Sequence, residues 1–165
     1  MAQLCKRRGL KVIGSAGSDE KVDFLKQMGY DVAFNYKTTD TAKVLKENAF
    51  QLYFDNVGGE TLSTVLDTID DRGRIAFCGA ISDYNRETTG IKNYAQILYK
   101  SLNMRGFIVG KFPEITPRFY DEVPALVAKG ELDMKEHVTK GIDDGEALLA
   151  IFHGGNFGKA IMSLE

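Results

Sequence analysis

With 165 residues, 44% of them apolar, the chain is long enough for one domain with a substantial core. A net charge of −2 and a pI near 5.8 argue against nucleic acid or an anionic membrane as a bulk partner. No apolar run reaches the length of a transmembrane helix or a signal peptide. The two cysteines (Cys5, Cys78) and two histidines (His137, His153) lack disulfide-framework or metal-site spacing, so no metal site is expected and a reducing, cytoplasmic location is the default.

Residues 2–8 (AQLCKRR) read as the last turns of an amphipathic helix stopped at Gly9 by a left-handed cap, which points to a segment upstream. Residues 11–15 form a strand. Ser18 then caps a helix running to Met28, with Val22, Leu25 and Met28 at helical spacing and Gly29 just past its end. Residues 31–35 (DVAFN) are the next strand. Asp40 caps a helix with Ala42, Val44 and Leu45 on its apolar side. Residues 51–55 (QLYFD) are a strand that turns at Val57-Gly58-Gly59 into a helix over 60–69. After a turn at 70–73, residues 74–78 (RIAFC) are a further strand ending in Gly79. Strand and helix alternating every ~20 residues mark parallel βαβ units, and the apolar strands fit a sheet covered on both faces.

A polar loop follows over 80–90, with Tyr84 and Asn85 near its middle, then a helix over 93–102 and a strand over 104–110 (MRGFIVG). Pro117 opens a helix extended to Lys129, which Pro124 should kink or interrupt and Gly130 ends. From Glu131 the character changes: a strand over 137–142, a helix over 145–153 capped by Asp143-Asp144, a Gly154-Gly155-Asn156 turn and a last strand over 158–164. That strand has no following helix and should belong to a different sheet, so the domain boundary is placed at Gly130.

Three stretches bear chemistry. After the first strand, Gly14-Ser15-Ala16-Gly17 leads into a helix whose first turn holds Lys21, where a cation gains nothing from the helix dipole. Lys21 is therefore expected to serve something negative outside the helix; a solvated lysine is the competing reading. No G-x-G-x-x-G occurs, and the strand ends in glycine and serine rather than the acid that holds a ribose 2′-hydroxyl. With Lys21 and Tyr36 nearby, such a strand end can take the 2′-phosphate of NADP. A charge-assisted hydrogen bond of about 1.5–3 kcal/mol is worth one to two decades of cofactor preference. A ring packed at a strand end is the competing reading for Tyr36.

The second and third stretches, Asp55-Asn56-Val57-Gly58-Gly59 and Cys78-Gly79-Ala80-Ile81-Ser82, both follow short apolar strands. They fall at the carboxyl edge of the sheet, where open α/β folds bind ligands. Routine βα-turn chemistry accounts for their glycines as well. Tyr84 is the candidate catalytic residue, because a phenol of ordinary pKa about 10 stays protonated at neutral pH and can protonate a developing enolate. A lid-packing ring is the alternative. His137, His153 and Cys78 read as structural.

In this order, GSAGSDEK, DVAFNYK, YFDNVGGE, GRIAFCGAISDYN, IKNY, MRGFIVG, KEHVTKGI and NFGKAIM resemble the zinc-independent medium-chain dehydrogenase/reductase superfamily. The resemblance is to its NADPH-dependent 2-alkenal reductases, the leukotriene B4 12-hydroxydehydrogenase and prostaglandin-reductase-like branch. It covers nearly the whole chain and implies an α/β, Rossmann-like parallel sheet of order 3-2-1-4-5-6 that here lacks its first, central strand and glycine-rich loop. Residues 1–130 would be a partial NADP-binding domain, and 131–165 a C-terminal segment of a catalytic domain otherwise missing, left here without a partner. The resemblance assigns Lys21 and Tyr36 to the NADPH 2′-phosphate. It places Asn56, Cys78, Gly79, Ala80, Ile81, Ser82, Phe107, Ile108, Val109 and Asn156 along the cofactor, and makes Tyr84 the proton donor. It further implies NADP(H) as cofactor, small α,β-unsaturated aldehydes or ketones as substrates, and a homodimer through the 104–110 edge strand. A quinone reductase of the same superfamily and a non-catalytic fragment acting through partner binding are the alternatives. The isolated chain is expected to turn over weakly or not at all.

Overall fold

The computed structural model describes residues 1–84, 90–141 and 154–164. The expected helix over 145–153, its Asp143-Asp144 cap, His153 and Asn85 lie outside those residues. By internal contact the chain forms two units, Met1–Thr38 with Ile115–Glu165, and Thr39–Glu114. No described helix is long and apolar enough to cross a membrane.

In the first unit, α1 (Ala2–Arg7) ends at Gly9, whose φ of +72° is the left-handed cap expected there. Strand β1 (Ile13–Ala16) leads to α2 (Asp19–Gln27), where the Ser18 hydroxyl accepts from the Lys21 amide at 3.4 Å, and Gly29 follows with φ +85°. Strand β2 (Val32–Asn35) pairs with β1 in parallel, Ile13 opposite Val32. Helix α6 (Thr116–Ala128) carries a proline in its first turn and ends at Gly130, φ +68°. It continues through Pro124, so of the expected kink or interruption the interruption does not occur. The carbonyl that a proline frees one turn earlier belongs to Tyr120, on an exposed turn where water can take it.

Strands β6 (Glu136–Lys140) and β7 (Lys159–Ser163) form a separate parallel pair, with Glu136 opposite Lys159. The tail makes contacts within its own unit. Gln3 on α1 exchanges two hydrogen bonds of 2.8 Å with the Asp133 backbone, Arg7 pairs with Glu131, and the Phe157 ring stands edge-on to Phe24 of α2 at 5.2 Å.

The second unit holds most of the buried apolar side chains among the described residues. Helix α3 (Thr41–Glu47), capped by Asp40 on the Lys43 amide at 3.1 Å, packs beside α4 (Gly59–Thr68). Leu62, Val65 and Leu66 of α4 are buried with Leu45, Ile69 and Ile75. Lys100 closes the far end of α4 by donating to the Asp67 and Ile69 carbonyls at 2.8 and 2.9 Å, as a cation does at a helix C-terminus.

Strands β3 (Leu52–Asp55), β4 (Arg74–Phe77) and β5 (Asn103–Gly106) form one parallel sheet in that order. Each within its own unit, the β2–β1 pair has the neighbour order 3-2 and the β3–β4–β5 sheet the neighbour order 4-5-6 expected from the sequence. On β3 the alternation is plain: Asp55 is buried and Tyr53 half-buried, while Leu52 and Phe54 are exposed, so this strand is covered on one face only.

Two elements are shorter than expected. Helix α5 spans Ala95–Tyr99 rather than 93–102. Strand β5 stops at Gly106, so Phe107, Ile108 and Val109 are not a strand. Their would-be partner runs out, because the Cys78 and Gly79 amides turn back to the Asp55 carbonyl (2.7 and 3.1 Å). Only the Phe107 amide still finds Phe77 (2.9 Å) before the chain enters a 3-10 turn at Val109–Lys111.

Candidate functional site

In the first unit, β1 delivers Gly14–Gly17 to the start of α2. A Cβ on Gly17 would lie 2.9 Å from the Tyr36 hydroxyl, so only glycine lets that ring lie over the turn. Lys21 Nζ donates to the Gly154 carbonyl at 2.5 Å. That acceptor is a neutral main-chain oxygen. Lys21 and Asn156 share the lining of an open cavity of about 230 Å³ with Ala16, Phe24, Leu25, Phe157 and Gly158. Asn156 Nδ2 donates to the Gly158 carbonyl at 2.6 Å, and the Phe157 amide donates to His137 Nδ1 at 3.4 Å. A lysine, an amide side chain and a phenylalanine on one concave surface give a cation and a donor beside a flat apolar wall.

In the second unit, the ends of β3 and β4 are stitched together. Asp55 is fully buried, and its Oδ1 accepts from the Val57 amide (2.8 Å), the Gly58 amide (3.0 Å) and the Tyr53 hydroxyl (3.0 Å). Among the described residues its Oδ2 has no hydrogen-bond partner. Burial, with this carboxylate alongside, drives the Tyr53 phenol well above its ordinary pKa. The same two causes, burial first, raise the Cys78 thiol, so Cys78 is not an activated nucleophile.

The turn after Asp55 then receives the second loop. Asn56 O accepts from the Ile81 amide (3.2 Å), and Val57 O accepts from the Ser82 amide (3.0 Å) and the Ser82 hydroxyl (2.7 Å). Gly58, at φ +70°, lies so close to Ala80 that a Cβ would sit 3.1 Å from the alanine methyl. Tyr84 is 63% exposed and follows the 3-10 turn Ile81–Asp83. Its hydroxyl accepts from the Ala80 amide at 3.5 Å, and among the described residues no acceptor takes the phenol proton. A Cβ on Gly79 would lie 3.5 Å from that hydroxyl and 3.2 Å from Asn56 O. Asn56, Gly79, Ala80, Ile81, Ser82 and Tyr84 therefore share one strand-end surface, with Cys78 at its root.

Phe107 packs its ring on Phe112 at 4.7 Å, while Ile108 and Val109 are exposed. Two features escaped the sequence reading. The Asp55 side chain was passed over as turn chemistry, although an aspartate closing an apolar strand two residues before an amide turn is an Asx-turn signal. The Phe24–Phe157 contact joins residues too distant in the chain for any periodicity to link.

A family model described as zinc-binding dehydrogenase matches residues 1–128. The chain belongs to the zinc-binding dehydrogenase family. Prostaglandin reductase 1 of Mus musculus is 39% identical over 170 residues, covering 98% of this chain and 52% of that protein. The NADP(+)-dependent 2-alkenal reductase of Nicotiana tabacum is 39% identical over 172 residues, 100% of this chain and 50% of that one. Among solved structures, CurA from Vibrio vulnificus in complex with NADPH superposes with a TM-score of 0.90 at 31% identity, over 99% of this chain and 52% of that one. The first two of these relatives are reductases by name, as in the branch that the motifs resemble. The chain spans about half the length of the curated relatives it matches.

Proposed function

We propose that this chain supplies the NADPH-binding half of an oxidoreductase that reduces the carbon–carbon double bond of α,β-unsaturated aldehydes and ketones. The observation that carries the reading is Tyr84. Its hydroxyl stands against the glycine-lined ends of β3 and β4 with its proton uncommitted among the described residues.

The residues present fit a phosphorylated dinucleotide. A phosphate monoester needs a cation and a hydroxyl donor at an open turn, and Lys21, Tyr36 and the bare Gly17 provide that chemistry. Exchanging the Gly154 carbonyl for a phosphate oxygen would give Lys21 a charged acceptor in place of a neutral one. Asn156 lies on the same cavity wall. In the second unit, Gly58 and Gly79 keep the strand ends free of Cβ atoms, so backbone can approach a flat ring or a pyrophosphate. When bound, NADPH supplies the hydride that reaches the substrate β-carbon. Tyr84 then gives its proton to the enolate, and the Ala80 amide behind its oxygen stabilises the phenolate that forms. Tail residues 131–165 would belong to the catalytic half. The β5 edge, with β4 on one side, would pair with a second copy in a homodimer.

Titrating the chain with NADPH and NADH, then following NADPH oxidation with a simple 2-alkenal, tests this reading. NADPH should bind more tightly than NADH by about one to two decades, and Lys21→Ala should erase most of that preference. In the active reductase, Tyr84→Phe should lower kcat by roughly two to four decades while leaving NADPH affinity nearly unchanged. An unchanged rate removes Tyr84 from the proton transfer.

A further inference from the structure

The carboxylate of Asp55 sits at the start of a chain of contacts that ends at Tyr84. Asp55 has no exposed surface, and three donors converge on its Oδ1. Two of these donors are the amides of Val57 and Gly58, so the carboxylate fixes the orientation of the peptide groups in the turn it follows. Those same peptide groups present the Asn56 and Val57 carbonyls to Ile81 and Ser82. The loop so held places the Ala80 amide on the Tyr84 hydroxyl. Asp55 reaches the loop by a second route, since its main-chain oxygen accepts from Cys78 and Gly79.

We propose that Asp55 is a positioning residue. Through the Asn56–Val57 turn its side chain sets the conformation of the loop holding Cys78, Gly79, Ala80, Ile81 and Ser82, and with it the placement of Tyr84. Its functional meaning rests on the reading of that loop as cofactor-facing. Asp55 touches neither the reacting atoms nor the cofactor; it acts through hydrogen bonds two and three steps removed. Because all three donors meet a single oxygen, the amide oxygen of asparagine can replace it, whereas a leucine of similar size offers no acceptor.

Amide hydrogen exchange on the full chain separates this role from a purely local one. Asp55→Leu should speed exchange at Ile81 and Ser82 by about tenfold or more, as well as at Val57 and Gly58, while Leu62, Val65 and Leu66 of α4 stay protected. Asp55→Asn should restore Ile81 and Ser82 to within about threefold of the parent. Faster exchange confined to Val57 and Gly58 overturns the proposal. Should Asp55→Leu fail to fold, Ser82→Ala tests the same linkage from the other end. It deletes the hydroxyl bonded to Val57 O and should speed exchange at Val57 and Gly58, and unchanged rates there overturn the coupling. A parallel NADPH titration addresses the functional reading alone. If the parent chain binds no NADPH while the exchange pattern holds, that reading fails and the positioning role stands.

Discussion

The two units are held together by different physics. In the second, Leu62 and Leu66 have no exposed surface, and Val65, Ile69 and Ile75 are nearly as deep. In the first, the most buried apolar side chains among the described residues are Val12, Val22 and Phe34, each of which keeps 6–9% of its surface exposed. Polar links draw its distant segments together: Lys6 to Asp31, Arg7 to Glu131, Gln3 to the Asp133 backbone and Lys21 to Gly154. Apolar burial contributes roughly 25 cal/mol per Å², whereas an exposed ion pair contributes about 0–1 kcal/mol. The loops carrying Asn56 and Tyr84 thus hang from a packed helix, while Lys21, Tyr36 and Asn156 sit where segments meet through weaker contacts.

The hardest way to break that contrast is to hollow the core. Leu62→Ala removes a fully buried side chain and should cost about 2–5 kcal/mol, visible as a large fall in the urea midpoint. Val22→Ala, the matching change in the first unit, removes two methyl groups from a less buried site and should cost about 1–1.5 kcal/mol. Equal losses would mean that the units are packed alike.

A smaller effect sharpens the account of the strand-end loops. Gly59 has φ +52°, and a Cβ there would lie 2.6 Å from Ser82 Oγ. Gly59→Ala should cost about 1–2 kcal/mol for the left-handed backbone and push the Ser82 hydroxyl off the Val57 carbonyl. NMR shifts should therefore move at Ile81 and Ser82 as well as around residue 59. Shifts confined to α4 would show that the loop is held without Ser82.

Much of this was legible in the sequence, because local chemistry decides it. Ser18 and Asp40 cap the helices they were read to cap, and Gly9, Gly29 and Gly130 end helices in the left-handed region. The parallel order of β1–β2 and β3–β4–β5 follows from the strand–helix alternation. The motifs also named the family. What escaped was set by partners remote in the chain. Phe107, Ile108 and Val109 have the composition of a strand, but a strand needs a neighbour, and β4 ends at Phe77. Lys21 Nζ donates to the carbonyl of Gly154, 133 residues away, a contact that no local pattern foretells. Asp55 carries an Asx-turn signal at its strand end, but the link from that turn on to Ile81 and Ser82 joins residues 25 apart and is shown only by the fold.

The smallest predicted effect belongs to the first unit and depends on pH. The Lys6 ammonium, bonded to both Asp31 oxygens at 2.9 Å, together with the Val12 amide at 2.6 Å, holds the Asp31 carboxyl below the ordinary aspartate range. A pKa lowered on folding contributes stability above the unfolded value of about 3.9, and that contribution is lost as pH falls through the lower folded value. Asp31 links α1 to the β1–β2 pair, since its amide also bonds the Val12 carbonyl at 3.0 Å. Acid should therefore loosen the first unit at this junction. Asp31→Asn keeps an acceptor for the Val12 amide but loses the charge, so it should alter the melting temperature little at pH 7 and flatten its decline below about pH 4. The difference between the two melting profiles isolates Asp31 from carboxylates such as Glu122, which Arg118 also holds low. If both proteins lose stability identically between pH 5 and 3, the Lys6–Asp31 link does not hold the first unit, and the contrast between the units rests on burial alone.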